Sequence, residues 1–303
     1  MATLTHDVPP GSHRRLTEHY GADVTSWLSG VDRLFADAAD RWDVRLAGYH
    51  DAGWTSVVAF GHLGDDQPVV LKALPEAERF VLEREALTHW GGDGVCRLRR
   101  ASDDDQMLMI EAVGRRIGGS TRPDDHAQRV AAALPRLHQR MVMRGQVPLV
   151  VDYYRDTVVP RIEQRAQRFA DVLGASRVSR TLALCRDLVS ASTARVMLHS
   201  DLYAENVLFD LDQTPIFIDP HAKVGPPAFD WAFWCVYYTP NEGFADRVAL
   251  CREQVPDLVD EVLAWSATLA VDGCLYYLDT DDPTAMAMLD DLGDPLLSSI
   301  VGN

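Results

Sequence analysis

One stretch, VMLHSDLYAENVLFDLDQTPIFID from Val196 to Asp219, constrains the fold more than any other. It holds three short β-rich runs, residues 196–198, 207–209 and 216–218,. Each is bounded by a polar residue that a small sheet would deliver to a common edge. His199, Asp201 and Asn206 stand in the order H-x-D-x-x-x-x-N, and Asp219 closes the third run. Phosphoryl transfer to a hydroxyl needs a carboxylate beside the acceptor. It also needs an amide oxygen and a second carboxylate to hold Mg²⁺ on the ATP phosphates. The spacing therefore predicts Asp201 as the catalytic base, with Asn206 and Asp219 as metal ligands. An ordinary hairpin with Asp and Asn in its turns is the plainer alternative.

Lysine usage weighs against the plainer alternative. Of the 29 basic residues only Lys72 and Lys223 are lysines. Lys72 sits inside the apolar run VVLKAL, where an ammonium is costly unless it has partners. A lysine on the third strand of a nucleotide-binding sheet contacts the α- and β-phosphates and pairs with a helix glutamate. The alternative is an edge-strand lysine facing water. On the next helix, about residues 76–90, Glu83 shares a face with Phe80, Leu87 and Trp90, whereas Glu85 points to the opposite side,. Glu83 is the expected partner.

Periodicity sets the rest of the order. Residues 1–21 read as a loose leader. Residues 23–40 carry an amphipathic stripe with Asp23 as N-cap, an expected brace helix. Strands follow at 45–49, 55–63 and 68–74, then the glutamate helix ending at Gly91–Gly94, then strands at 96–99 and 107–110. Thr55 and Ser56, in the loop between the first two strands, are candidate phosphate contacts, although this loop lacks a G-x-G-x-x-G pattern. Glu111, Ala112 and Val113 lie where a connector would hydrogen-bond adenine through its backbone. The remainder is helical: residues 123–140 with a kink at Pro135, then 152–173, 176–192, a helix from about Phe229, and 245–252, 256–278 and 284–292. Asp230 is expected to hold the catalytic loop. Lys223 reads either as a phosphate or substrate contact or as a solvated loop lysine. The fold class is α+β, a small five-stranded antiparallel lobe followed by a larger, mainly helical one. The expected domains are a leader and brace at 1–40, a nucleotide-binding lobe at 41–113, and a helical lobe with catalytic loop and acceptor site at 114–303.

The net charge of −16 argues against a nucleic-acid partner, since a phosphate backbone needs a basic face,. No apolar run reaches membrane-span length, and the N-terminus shows no apolar signal core. The five cysteines form no CxxC pair and read as buried thiols in a cytoplasmic protein,. From residue 241 to 303 there are two basic residues against thirteen acidic ones. This excess is either an attraction for a cationic ligand or a solvated surface.

The brace helix, VVLK, ALTHWGGDGVCRL, MLMIEAV, LHSDLYAENVLF and IDPHAKVGPPAFD occur in the order of the aminoglycoside phosphotransferases, bacterial small-molecule kinases with a bilobal protein-kinase-like fold. The chain resembles that family over nearly its whole length, nearest the branch of streptomycin 6-kinases and hydroxyurea phosphotransferases. The resemblance implies Asp201 as base, Asn206 and Asp219 as Mg²⁺ ligands, Lys72 on phosphate and Glu83 orienting Lys72. The chain departs from the family's usual pattern at three places. Ser200 stands for Gly, Tyr203 for His, and the lysine usual after Ile-Asp-Pro is displaced to Lys223, with His221 in its place. Protein kinases carry Arg at the position of Ser200 and a long activation segment after the metal aspartate, and this chain has neither.

The expected function is ATP- and Mg²⁺-dependent O-phosphorylation of a small-molecule antibiotic, aminoglycoside-like or of nucleoside or peptide type. A metabolic kinase of choline or fructosamine type and a non-enzymatic pseudokinase are the alternatives. A rich aromatic cage would favour a quaternary ammonium, and scattered carboxylates a polyamine sugar.

Overall fold

The computed structural model of the chain describes residues 4–64, 66–142, 147–191, 193–240, 242–293 and 296. It divides into two units, Met1–His126 with Val207–Ile218, and Ala127–Asn206 with Asp219–Asn303.

The first unit is built on an antiparallel sheet. The expected leader contributes two elements to it. Strand β1 (Leu4–Thr5) pairs with the next strand, and helix α1 (Pro10–Tyr20) begins on a proline, whose missing N–H costs nothing in a first turn,. Helix α2 (Val24–Trp42) is the expected brace. Its buried stripe of Val24, Leu28, Val31, Phe35, Ala38 and Trp42 packs on the sheet,. Asp23 makes no side-chain cap bond, unlike the expected N-cap. Strands β2 (Val44–His50), β3 (Val57–Leu63) and β4 (Pro68–Ala73) follow the periodicity, then helix α3 (Ala77–Trp90), β5 (Leu98–Ser102) and β6 (Met107–Glu111). The sheet order is β1-β2-β3-β4-β6-β5, so it has six strands rather than five, the sixth being the leader's β1. Gly48 (φ 145°) lets β1 approach, since a Cβ there would stand 2.7 Å from the Thr5 carbonyl oxygen,.

Unit two is mainly helical. Helix α4 (His126–Ala133) passes into a 3₁₀ segment, Leu134–His138, where Pro135 cannot continue the α pattern,. The long helix expected from residue 152 is broken into α5 (Val150–Tyr153), a π-type turn at Tyr154–Val158, α6 (Val159–Arg168) and α7 (Ala170–Leu173). Then come α8 (Ala175–Ala191), β7 (Val196–Leu198) and, after β8 (Val207–Phe209) and β9 (Pro215–Phe217) of the first unit, β10 (Lys223–Gly225). The final helices are α9 (Pro227–Tyr237), α10 (Phe244–Gln254), α11 (Val259–Asp279) and α12 (Thr284–Met288). Every residue of α9 from Ala228 to Tyr237 is buried, and the helix packs on α11 at the centre of this unit. A helix apolar on all sides is stable only in such a position. Its Trp231 and Trp234, with Trp265 of α11, are among the largest fully buried side chains.

The three β-rich runs of the central stretch do not share one sheet. β7 pairs antiparallel with β10, Lys223 opposite Leu198, within the second unit. β8 pairs with β9 and belongs to the first unit. The chain crosses between units just after Asn206 and just before Asp219.

Candidate functional site

Lys72 lies in β4 opposite Val58 and Leu108, with buried Leu71 and Ala73 beside it. Its Nζ donates to both carboxylate oxygens of Glu83, at 2.9 and 2.8 Å. Lys72 is 3% exposed and Glu83 2%. Each charge of so deeply buried a pair supplies hydrogen bonds to the other, which offsets part of its desolvation cost. The face argument for Glu83 holds, and Glu85 is half-exposed on the other side, contacting Arg84. Gly91 ends α3 in the left-handed conformation, its N–H on Leu87 O at 2.9 Å.

The remaining candidates of the first unit are less closely gathered. The Thr55 carbonyl accepts the Tyr20 hydroxyl at 3.1 Å. Ser56 is buried, and its Oγ has no hydrogen-bond partner among the described residues. Glu111 ends β6, and Ala112 and Val113 lead into a short 3₁₀ turn. Part of this connector's backbone is already committed. Ala112 N–H donates to Pro68 O, and Ala112 O accepts Arg115 N–H at 3.0 Å. Glu111, Ala112 and Val113 border a cavity of about 340 Å³, with Arg97 and Asp212 across from them.

Within the second unit, the Asn206 Nδ2 donates to Asp201 Oδ2 at 2.9 Å and to Asp201 O at 2.8 Å. Asn206 closes a 3₁₀ turn, Ala204–Asn206, whose first N–H bonds Tyr238 O at 3.0 Å. The amide is thereby fixed so that Oδ1, a hard oxygen donor, is the end not committed to Asp201. Together with the Asp219 carboxylate, this donor set suits Mg²⁺, which keeps few protein ligands and completes its shell with phosphate oxygens and water. Among the described residues no cluster of three or more His, Cys, Asp or Glu is arranged to hold a metal alone.

Asp230 underlies the loop. Its Oδ2 accepts the His199 N–H and its Oδ1 the Ser200 N–H, both at 2.8 Å. His138 Nε2 stands 3.0 Å from the same Oδ2. Asp230 is fully buried, as its expected loop-holding role requires. Ser200 (φ 60°) and Asp219 (φ 57°) both adopt the left-handed conformation. It costs an L-residue about 1–2 kcal/mol and is tolerated more readily by Asp than by Ser. The His221 N–H bonds His199 O at 2.9 Å and ties the segment after Asp219 to the loop.

A second cavity of about 340 Å³ opens beside Asp201 and Ser200 and is entirely within this unit. Lys223 lines it from strand β10. It is 3% exposed and not a solvated loop lysine. Its Nζ contacts His221 O at 3.3 Å and lies 4.4 Å from the Tyr153 ring centroid. Tyr203 packs edge-on against Phe233 in the wall, and burial pushes its phenol well above the ordinary range. Gly273, in the middle of α11, leaves room for the Tyr237 hydroxyl, which a Cβ would approach to 2.5 Å. Arg161, Arg165 and Asp272 also line this cavity, and the sequence carried no motif for them. They come from α6 and α11, more than a hundred residues apart, and only packing brings them together. His138 likewise went unforeseen as the partner of Asp230.

The family model described as aminoglycoside/hydroxyurea antibiotic resistance kinase matches residues 41–255, well over half of the chain. The chain belongs to this family. It is 30% identical over 267 residues to a streptomycin 6-kinase of Streptomyces griseus, covering 87% of this chain and 86% of that one. It is 29% identical over 214 residues to a hydroxyurea phosphotransferase of Kitasatospora aureofaciens, covering 69% and 62%. The fold is that of a solved aminoglycoside phosphotransferase, a thermostable APH(4)-Ia mutant in complex with ADP and hygromycin B. The TM-score is 0.61, with 14% identity over 88% of this chain and 99% of that one. As a member of the antibiotic resistance kinase family, the chain is an ATP-dependent phosphotransferase acting on a hydroxyl group. Among the described residues no helix is long and apolar enough to cross a membrane.

Proposed function

We propose that the chain is a Mg²⁺- and ATP-dependent cytoplasmic kinase that phosphorylates a hydroxyl of a small-molecule antibiotic, aminoglycoside-like or of nucleoside or peptide type. The product would confer resistance or self-protection, because a phosphate adds charge and bulk that spoil binding to the drug's target. The observation that carries the reading is the Asn206–Asp201 hydrogen bond at 2.9 Å beside an open cavity. It fixes a carboxylate where an acceptor hydroxyl can reach it.

In this reading Asp201 orients the acceptor and takes its proton as the oxygen attacks the γ-phosphorus and ADP departs. Lys72, held by Glu83, carries the α- and β-phosphates. Thr55 and Ser56 offer further phosphate contacts, and Glu111, Ala112 and Val113 the adenine edge. Val113 N–H and Glu111 O are the natural choices, since Ala112 is committed to protein partners. Asn206 and Asp219 would hold Mg²⁺, which supplies charge neutralisation at the phosphates. The nucleotide-binding lobe is residues 41–113 and the acceptor lobe 114–303, with 1–40 as leader and brace. Residues Lys72, Asp201, Asn206 and Asp219 are all present, which favours an enzyme over a pseudokinase.

The experiment is a coupled ADP-release assay with MgATP against aminoglycosides, nucleoside and peptide antibiotics, hydroxyurea and choline. Turnover on one antibiotic class supports the proposal. Turnover on choline alone would replace it with a metabolic kinase, and absence of MgATP binding would overturn it.

A further inference from the structure

Within the first unit, helix α1 is hydrogen-bonded to the loop between β2 and β3. Leu16 anchors the helix in the core, where it is fully buried. Arg15 Nε donates to Gly53 O at 3.1 Å, and its Nη2 to Asp51 Oδ1 at 2.7 Å. The buried Ser12 donates through Oγ to the same carboxylate oxygen at 3.3 Å. Tyr20, the last residue of α1, donates its hydroxyl to Thr55 O at 3.1 Å. The helix lies so close that a Cβ on Gly11 would stand 2.5 Å from both Asp51 carboxylate oxygens.

These bonds engage the carbonyl groups of the loop and leave its N–H groups. Among the described residues, the N–H groups of Gly53, Trp54, Thr55 and Ser56 make no backbone hydrogen bond. The Ser56 Oγ, on a residue 1% exposed, has no partner there either. A buried hydroxyl without a partner is rare unless a ligand completes it. Successive N–H groups left together form a concavity that binds anions. The loop lacks the glycine pattern with which kinases wrap phosphates, and here α1 supplies the order instead,. The Arg15–Asp51 pair is partly open to water, with side chains 17% and 49% exposed. Such a pair contributes little to stability, so its main consequence is where the loop sits.

Resting on the reading of Thr55 and Ser56 as phosphate contacts, we infer that α1 belongs to the nucleotide site: Arg15 and Tyr20 are positioning residues that hold residues 51–56 with their N–H groups free for the ATP phosphates. A loop already ordered loses less freedom on binding, which raises affinity for the phosphates. Neither residue acts on the phosphorus itself.

The test is calorimetry on the full chain with MgATP and with adenosine, which keeps the base and ribose and lacks the phosphates. For Arg15→Gln the proposal expects MgATP affinity to fall about tenfold and adenosine affinity to stay within about twofold. Tyr20→Phe and Asp51→Ala are each expected to weaken MgATP about threefold, again sparing adenosine. Arg15→Lys keeps the charge and one donor, and should recover part of the affinity. Urea midpoints of all variants should stay close to the parent's. Unchanged MgATP affinity in Arg15→Gln and Tyr20→Phe overturns the proposal. Equal weakening of MgATP and adenosine does so too, since a general loosening of the lobe would give it. Asp51→Ala also removes a negative charge, so tighter MgATP binding by that variant would show charge rather than position at work and overturn it as well. Failure of the kinase reading is a different result: a parent that binds no MgATP, which removes the nucleotide site and this role with it.

Discussion

Asp230 Oδ1 accepts the backbone N–H of Ser200 at 2.8 Å, and Ser200 stands at φ 60°. The buried carboxylate thus holds the loop in a conformation that a serine adopts at a cost. The other oxygen of Asp230 takes the His199 N–H. Two consecutive N–H groups directed at one carboxylate set the backbone from which Asp201 projects.

This relationship gives opposite outcomes for two substitutions. Ser200→Gly removes both the left-handed strain and a buried hydroxyl with no partner among the described residues. Glycine's added freedom in the unfolded chain offsets part of that, so the expected gain is up to about 1 kcal/mol in urea denaturation. Asp230→Asn turns an amide N–H toward a backbone N–H and leaves a buried donor unsatisfied, a loss of about 1–3 kcal/mol. Turnover in the Asn variant should fall by at least about a hundredfold, with MgATP affinity nearly unchanged. A Ser200→Gly variant clearly less stable than the parent would contradict the strain argument.

Lys72 and Glu83 should behave as a buried pair. Lys72→Met leaves the Glu83 carboxylate buried without its partner, for an expected loss of about 3–5 kcal/mol by denaturant titration. The double change Lys72→Met with Glu83→Leu should recover much of the stability and none of the nucleotide affinity. Recovery of both would mean that the pair is structural only.

All five cysteines are buried. Burial pushes the Cys185 thiol up to about 12 and raises Cys235, which lies 3.4 Å from Cys251 sulfur to sulfur, well above its ordinary value. At about pH 8 both therefore remain protonated thiols, and the thiolate is the reactive form. Ellman's reagent is expected to modify none of the five in the native protein within minutes and all five in guanidinium chloride. Rapid labelling of the native protein would contradict this burial.

The site was legible where local pattern and chemistry coincide. The Lys72–Glu83 contact was legible because Lys72 interrupts an apolar strand and a helix face can be counted, and the Asp201–Asn206 contact because their spacing is short. Asp230 was expected where it could hydrogen-bond the loop, and it accepts the His199 and Ser200 N–H groups. The sequence did not show β1, because a two-residue strand carries no periodicity and its pairing depends on Gly48 far along the chain. The split of the central runs into two ladders was hidden because β7 chooses the distant β10 over its neighbours. The cavity beside Asp201 was least visible. Arg161 and Asp272 meet across 111 residues, and no local spacing encodes such a contact. The acidic C-terminal excess read either as an attraction for a cationic ligand or as a solvated surface; among the described residues one of its carboxylates, Asp272, lines the cavity, and Arg161 bonds it.

The central claim is that Asp201 is the base of a phosphoryl-transfer centre, and one comparison tests it most directly. ADP release and MgATP binding would be measured side by side for the parent and Asp201→Ala, with an acceptor that the parent turns over. The account predicts that turnover falls by about a hundredfold to ten-thousandfold while MgATP affinity changes little. A variant that retains a substantial fraction of parental turnover would show that Asp201 is not the base.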